Sequence, residues 1–177
     1  MTHDDIATHR LVLRLLSRDA LEATETGHAD AAARLLGLKL PADWREAAPL
    51  ARRRLAQLPE CPQYAPWSIR AIVRRETNEA VGYVNFHDLP GHHEMAQKEA
   101  CAEFGYTIFE RHRRQGYGEE TVRALMAWAG VRGARHFIFS ISPDNEPSRE
   151  LAQKLGARKI GVQIDEEDGP EEVFLLD

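Results

Sequence analysis

The chain has 177 residues, 43% of them hydrophobic and 29% charged, with a formal net charge of −5. That length and apolar share fit one domain with its own core and exclude a disordered chain or a repeat array. The acidic balance speaks against nucleic acid as a partner, whose phosphates need a broad basic surface, and no apolar run approaches the ~20 residues of a membrane-spanning helix.

The opening Met-Thr-His-Asp-Asp lacks the basic head and apolar stretch of a secretory signal. Cys61 and Cys101 stand alone, with no metal-type pair and no disulfide framework, so a reducing, cytoplasmic compartment is the expectation.

Arg10 to Leu16 reads as a first strand, and Ser17 with Asp19 offers a helix start. Ala, Leu and Glu dominate up to Leu38, with Gly27 and Gly37 as breaks, which predicts one or two short helices. Pro41 opens another helix carrying Trp44, Ala47, Ala51, Leu55 and Leu58 at helical spacing, ended by Pro59 and Pro62. The run Arg52 to Arg54 on it reads as a solvated face.

Trp67 to Val73 and Ala80 to Phe86 alternate, and the polar turn between them makes a hairpin. A polar loop from His87 to Lys98 follows, then a strand from Ala100 to Phe109. Glu119 to Val131 is an amphipathic helix with Val122, Leu125, Met126 and Ala129 on one stripe. His136 to Ile141 is an almost continuously apolar strand. Pro147 suits the first position of a helix that Gly156 ends. Arg158 to Ile164 and Glu171 to Leu176 close the chain as a hairpin. The seven strands and their helices make one mixed α/β domain over 1–177, its first eight residues a flexible lead.

Chemistry concentrates between Gly105 and Gly118. A strand, a turn with Gly116 and Gly118, and a helix N-terminus in sequence form an anion site, where consecutive N–H groups approach a phosphate. Arg111, Arg113 and Arg114 place three cations there against the global sign of charge. A nucleotide P-loop would need Lys-Ser/Thr where Glu119-Glu120 stands, and a dinucleotide fingerprint would need Gly where Thr121 stands.

Arg113-x-x-Gly116-x-Gly118 resembles the pyrophosphate loop of the GNAT acetyltransferases. Thr8-x-Arg10-Leu-x-Leu-Arg14, Ala102-Glu-Phe-Gly-Tyr106, and Asn145-x-x-Ser148 followed by Lys154-Leu-Gly156 resemble segments of its RimJ/RimL branch, in the same order. The resemblance implies a three-layer fold: a mostly antiparallel twisted sheet with helices on both faces, its middle strands splayed to admit a cofactor.

It also implies acetyl-CoA as co-substrate and no metal. Backbone groups of Tyr106, Thr107 and Ile108 would pair with the pantetheine arm. Arg113, Arg114, Gln115, Gly116, Tyr117 and Gly118 would hold the pyrophosphate, Asn145 the pantetheine, and Ser148 would lie near the sulfur. Glu103 matches the general base. A Tyr found in many relatives as general acid is Ala152 here, and a usual Phe is Ala157, so Ser148 or water is left to protonate the thiolate.

The implied activity is acetyl transfer to a primary amine by direct attack in a ternary complex. The acceptor is open between a protein N-terminus and a small-molecule amine, and a homodimer is open too. An α-amine gives up only ~0.6 kcal/mol to deprotonate at neutral pH, a lysine amine ~4, which is where a carboxylate base helps. The non-catalytic alternative is an acyl-CoA-binding sensor; Glu103 disfavours it and Ala152 favours it.

Other features have plain readings beside functional ones. Asp165 to Glu172 carries six acidic residues of eight, either a solvated turn or a rim that recruits a cationic amine. His87, Asp88, His92, His93 and Glu94 lack metal-site spacing and suit a substrate-facing loop. Cys101 shares a strand face with Glu103 and reads as a core thiol. Trp128 reads as core, while Trp44 and Trp67 suit either core or an acceptor pocket.

Overall fold

The computed structural model describes residues 5–165 and 169–177. Contacts divide the chain into two units, Met1–Asn85 with Tyr106–Leu125, and Phe86–Gly105 with Met126–Asp177. Among the described residues no helix is long and apolar enough to cross a membrane.

The first unit begins with β1 (Ile6–Ala7) and β2 (Leu11–Leu15), paired antiparallel. Ser17 caps α1 (Arg18–Glu25), its side chain accepting from the Ala20 N–H at 3.2 Å, as its sequence position predicts. Gly37 ends α2 (Ala29–Leu36) at φ 64°, the left-handed conformation that glycine takes without a Cβ clash. A 3-10 turn at Ala42–Ala47 leads into α3 (Ala48–Glu60), which runs one residue past Pro59 before Cys61 caps it.

β3 (Arg70–Arg74) then pairs antiparallel with β2 on one side and β4 (Glu79–Phe86) on the other. The core gathers Leu21, Trp44, Ile69, Ala71, Val73 and Phe109 under these helices. Trp44 is therefore core, with its indole N–H on Thr24 Oγ1 at 3.2 Å.

A β-bulge interrupts the β3–β4 ladder, where Ile72 faces Gly82 but Val73 faces Ala80. The extra residue, Val81, turns its carbonyl to the Phe109 N–H at 2.9 Å. Next to it, a Cβ added at Gly82 would collide with the Thr107 carbonyl oxygen. Only glycine fits there, because the obstacle is backbone.

In the second unit the leading strand is β6 (Lys98–Ile108), which begins two residues earlier than the alternation predicts and continues past Gly105 into the first unit. It pairs antiparallel with β5 (Gly91–His93) and parallel with β7 (His136–Ile141). β9 (Gly169–Leu176) lies antiparallel between β7 and β8 (Arg158–Asp165). The β6–β7 register runs from Cys101↔His136 to Glu103↔Ile138, while β7 runs on along β9 to Ile141↔Glu172.

Alternation puts Cys101, Glu103, Ile138, Ser140, Val173 and Leu175 on one face, where Cys101 joins an apolar cluster with Ala96 and Ile160. Burial pushes the Cys101 thiol up, in keeping with a core role. On the opposite face Phe104 meets Phe139 at 5.0 Å and Phe86 at 6.0 Å, and Trp128 stacks on Phe86 at 5.9 Å. Trp128 belongs to α4 (Tyr117–Gly130), which starts two residues before the predicted helix and crosses from the first unit to the second. Val122, Leu125 and Ala129 are buried as its stripe predicts, and Met126 is half-buried.

Several boundaries need correction. There are nine strands among the described residues rather than seven, because two- and three-residue strands such as β1 and β5 are too short to show alternation. The segment read as a loop from His87 to Lys98 holds β5 and the start of β6. Trp67 ends a 3-10 turn, Pro62–Trp67, instead of opening a strand. Arg54 is buried at 4% exposure, its guanidinium 5.4 Å over the Tyr64 ring and donating to Gln57 at 2.7 Å; a long apolar stem lets a cation enter an aromatic niche. Pro147 occupies the second position of α5 (Glu146–Lys154), where it still displaces no intrahelical donor.

Replacing Gly82 by Ala should cost about 2 kcal/mol or more, the penalty of forcing volume into an unyielding contact. Urea unfolding monitored by tryptophan fluorescence checks this, with the midpoint expected to fall.

Candidate active site

The segment between β6 and α4 is built by local contacts. A 3-10 turn at Glu110–His112 carries the chain off the strand. Arg113 Nε then donates to the Ile108 carbonyl at 3.0 Å, tying the loop back to the strand end. Arg114 sits at φ 58° and Gly116 at φ 78°, so the backbone turns through two left-handed residues before the helix. Gly116, Tyr117 and Gly118 bring their backbone N–H groups to the first turn of the helix.

Both glycines also answer to packing. A Cβ at Gly116 would lie 3.3 Å from Arg10 Nη2, and one at Gly118 would lie 3.2 Å from the Tyr106 ring. Of the three loop cations, Arg111 pairs with Glu79 at 2.8 Å, whereas Arg113 and Arg114 stay on the exposed side. Tyr106 and Thr107 are half-buried and Ile108 is buried. Gln115 is exposed, with its amide 3.4 Å from the Arg111 carbonyl.

A clamp that sequence reading missed holds this loop. Glu120 Oε1 accepts from Thr8 Oγ1 at 2.6 Å and from the Arg10 N–H at 2.8 Å, and Oε2 accepts from Arg10 Nε at 2.7 Å. Arg10 also donates to the Gln115 carbonyl at 2.9 Å and lies 4.8 Å over the Tyr117 ring. Burial pushes the Glu120 carboxyl up, but the Thr8 and Arg10 hydrogen bonds and the Arg10 charge outweigh it and hold it below the usual glutamate range. The signal was present in Thr8-x-Arg10 and Glu120, but a sequence does not say that two such distant segments meet.

Beside the clamp lies an open cleft of about 430 Å³ lined by His9, Arg10, Arg74, Arg75, Glu76 and Tyr117. Its cations are engaged within the chain: Arg74 with Glu76, and Arg75 with the Thr8 and His9 carbonyls.

In the second unit, Glu103 points from β6 with its side chain 23% exposed. Its Oε1 accepts from Ser140 Oγ at 2.5 Å and lies 3.5 Å from His87 Nδ1. Burial pushes the carboxyl up, but the His87 hydrogen bond and charge, the Ser140 hydroxyl and the His93 charge together hold it below the usual glutamate range. It is thus ionised, an acceptor only, at neutral pH.

Asn145 caps α5, its Oδ1 taking the Ser148 N–H at 3.3 Å. Asn145 is exposed and Ser148 half-buried. Ala152 is fully buried, and its methyl side chain carries no proton to donate.

The histidine segment scatters. His92 pairs with Glu99 at 3.0 Å, His93 Nδ1 takes the Ala96 N–H at 3.2 Å, and His87 goes to Glu103. Among the described residues, no three His, Cys, Asp or Glu side chains gather as a metal site. In the acidic hairpin, Glu172 pairs with Lys159 at 2.5 Å and Arg149 at 3.4 Å, and Glu171 accepts from Gln163 at 3.0 Å. Residues 166–168 of that run lie outside the described residues. Glu171 and Glu172 at least are engaged within the fold.

An acetyltransferase (GNAT) domain matches residues 10–158. The chain belongs to the GNAT acetyltransferase family. It is 35% identical over 92 residues to the uncharacterized N-acetyltransferase YoaA of Bacillus subtilis (strain 168), covering 51% of this chain and 49% of that one. The match thus spans about half the length of that curated relative. A Vibrio cholerae protein assigned as a ribosomal-protein-serine acetyltransferase shares 26% identity and its fold, with a TM-score of 0.65 over 97% of this chain and 96% of that one. A RimL ribosomal L7/L12 alpha-N-protein acetyltransferase, solved with coenzyme A, has the same fold at 18% identity, with a TM-score of 0.65 over 97% of each chain. These neighbours agree with the RimJ/RimL-like branch that the sequence resembles.

The Glu120 clamp carries a signed pH expectation. Its carboxyl is lowered by folding, so its stabilisation is complete above the ordinary glutamate range and is lost as pH falls through the lowered value. Glu120→Ala should cost about 1–2 kcal/mol at pH 7, because charged hydrogen bonds are lost at a partly exposed site. That deficit should shrink at pH 3. Thermal unfolding at both pH values reads it.

Proposed function

We propose that the chain is an acetyl-CoA-dependent N-acetyltransferase that moves an acetyl group to a primary amine by direct attack in a ternary complex. The observation that carries this reading is the Arg113–Gly118 loop, where two left-handed residues, Arg114 and Gly116, lead into a helix start beside exposed Arg113 and Arg114. A pyrophosphate is the anion such a loop suits. Tyr106, Thr107 and Ile108 would offer backbone to the pantetheine.

In the proposed reaction the neutral amine attacks the thioester carbonyl, a C–N bond forms, and the C–S bond breaks. Glu103, already ionised, takes the amine proton directly or through water, and Ser148 or water protonates the departing thiolate. Peptide N–H groups of β6 would stabilise the oxyanion. With the Glu103 carboxyl held below the usual glutamate range, kcat/KM should rise through neutral pH only as the acceptor amine loses its proton, which a pH–rate profile checks. The acceptor class we favour is a protein N-terminal amine, because the solved neighbours include ribosomal-protein acetyltransferases. A small-molecule amine is the competing acceptor.

Acetyl transfer measured against N-terminal peptides, polyamines and aminoglycosides, with free CoA detected, tests the reading. Turnover on an amine, lowered about 100-fold in Glu103→Gln, is the expected result. Coenzyme A binding without transfer to any amine would instead make the chain a sensor. Asn145→Ala should lower stability by about 1 kcal/mol as a lost cap. Calorimetry should also show weaker coenzyme A binding in that variant; an unchanged affinity would leave Asn145 a cap alone.

A further inference from the structure

The hydrogen bond from Ser140 to Glu103 is the last link of a chain whose direction is fixed from its far end. Glu171 on β9 is a carboxylate, which only accepts. It takes Gln163 Nε2 at 3.0 Å, which decides that the amide nitrogen, not its oxygen, faces that way. The same nitrogen donates its second proton to Ser140 Oγ at 3.1 Å. With its oxygen already accepting, the Ser140 hydroxyl has its one proton left for Glu103 Oε1, at 2.5 Å. No other arrangement of protons satisfies every partner in this chain.

The fold sets these side chains side by side. Glu103↔Ile138, Ser140↔Val173 and Gln163↔Glu171 are register pairs, and alternation puts Glu103, Ser140, Gln163 and Glu171 on one face of β6, β7, β8 and β9. Gln163 also lines an open cleft of about 700 Å³ with His92, His93, Glu94, Met95 and Gln97.

We propose that Ser140 and Gln163 are positioning residues for Glu103: Gln163 sets the Ser140 hydroxyl, and the hydroxyl holds the carboxylate in a single orientation. The inference rests on the reading of Glu103 as the base. Both contacts to the carboxylate, from Ser140 and His87, meet Oε1, so Oε2 takes a proton from the amine without either contact breaking. The groups acting on this carboxylate are His87 beyond β4, His93 of β5 and Ser140 of β7. Removing Ser140 leaves the two histidines and burial to set its titration.

The test follows the Glu103 carboxyl by carbon NMR of glutamate-labelled protein, alongside steady-state kinetics. In Ser140→Ala the carboxyl should titrate about one pH unit higher and kcat should fall about tenfold, the usual effect of losing a hydrogen bond to a charged group. The KM for acetyl-CoA should be unchanged, and Ser140→Thr should restore both values. Gln163→Leu should move both readouts in the same direction and covers the case of a misfolded Ser140 variant. A carboxyl that titrates as before in Ser140→Ala, or in Gln163→Leu if the first fails to fold, overturns the proposal. Full activity in Glu103→Gln would sink the base reading instead, and the NMR titration would still decide whether Ser140 and Gln163 orient the carboxylate.

Discussion

One carboxylate, Glu120, organises the loop and helix start at one end of the first unit. It receives three donors from Thr8 and Arg10, more than 100 residues away in the chain. The first turn of any helix has few intrahelical bonds holding it in place. The clamp supplies that anchorage from the side, and Arg10 extends it to the Gln115 carbonyl and the Tyr117 ring. The loop can therefore turn twice through positive φ and still present a defined surface. It also explains why two acidic residues, Glu119 and Glu120, open a helix beside a cationic loop. Acid in a first turn suits the helix dipole, and Glu119 bonds Arg123 at 3.0 Å.

The second unit follows a different logic. Its strands alternate so that one face is aromatic and the other mixes apolar residues with a polar strip from Glu103 to Glu171. Burying part of a carboxylate is costly unless donors meet it. Here Ser140 and His87 meet Glu103 Oε1, and Gln163 donates to Ser140 and Glu171 behind them.

Long periodic segments were legible in the sequence because burial follows alternation. Leu11 to Leu15, His136 to Ile141 and the Val122–Leu125–Ala129 stripe fell where expected. The left-handed turn before the helix was legible because Gly116 takes positive φ without a Cβ clash. What escaped were features made by tertiary meeting. β1 and β5 exist only through pairing with their neighbours, Arg54 is buried because Tyr64 offers a ring, and Arg10 finds Glu120 across the fold. Gln163 and Ser140 carried no sequence signal at all, since polar residues on strands ordinarily face water.

The bulge at Val81 and the bare position beside it have a bearing on how the molecule tolerates change. Gly82 lies against a backbone carbonyl of the strand that precedes the glycine-arginine loop, and a carbonyl cannot rotate aside as a side chain can. A saturation screen scored only by product formation would rank this glycine with the reactive groups. Its intolerance is one of pure geometry, so paired measurements of abundance and turnover are what separate scaffold from chemistry along this strand.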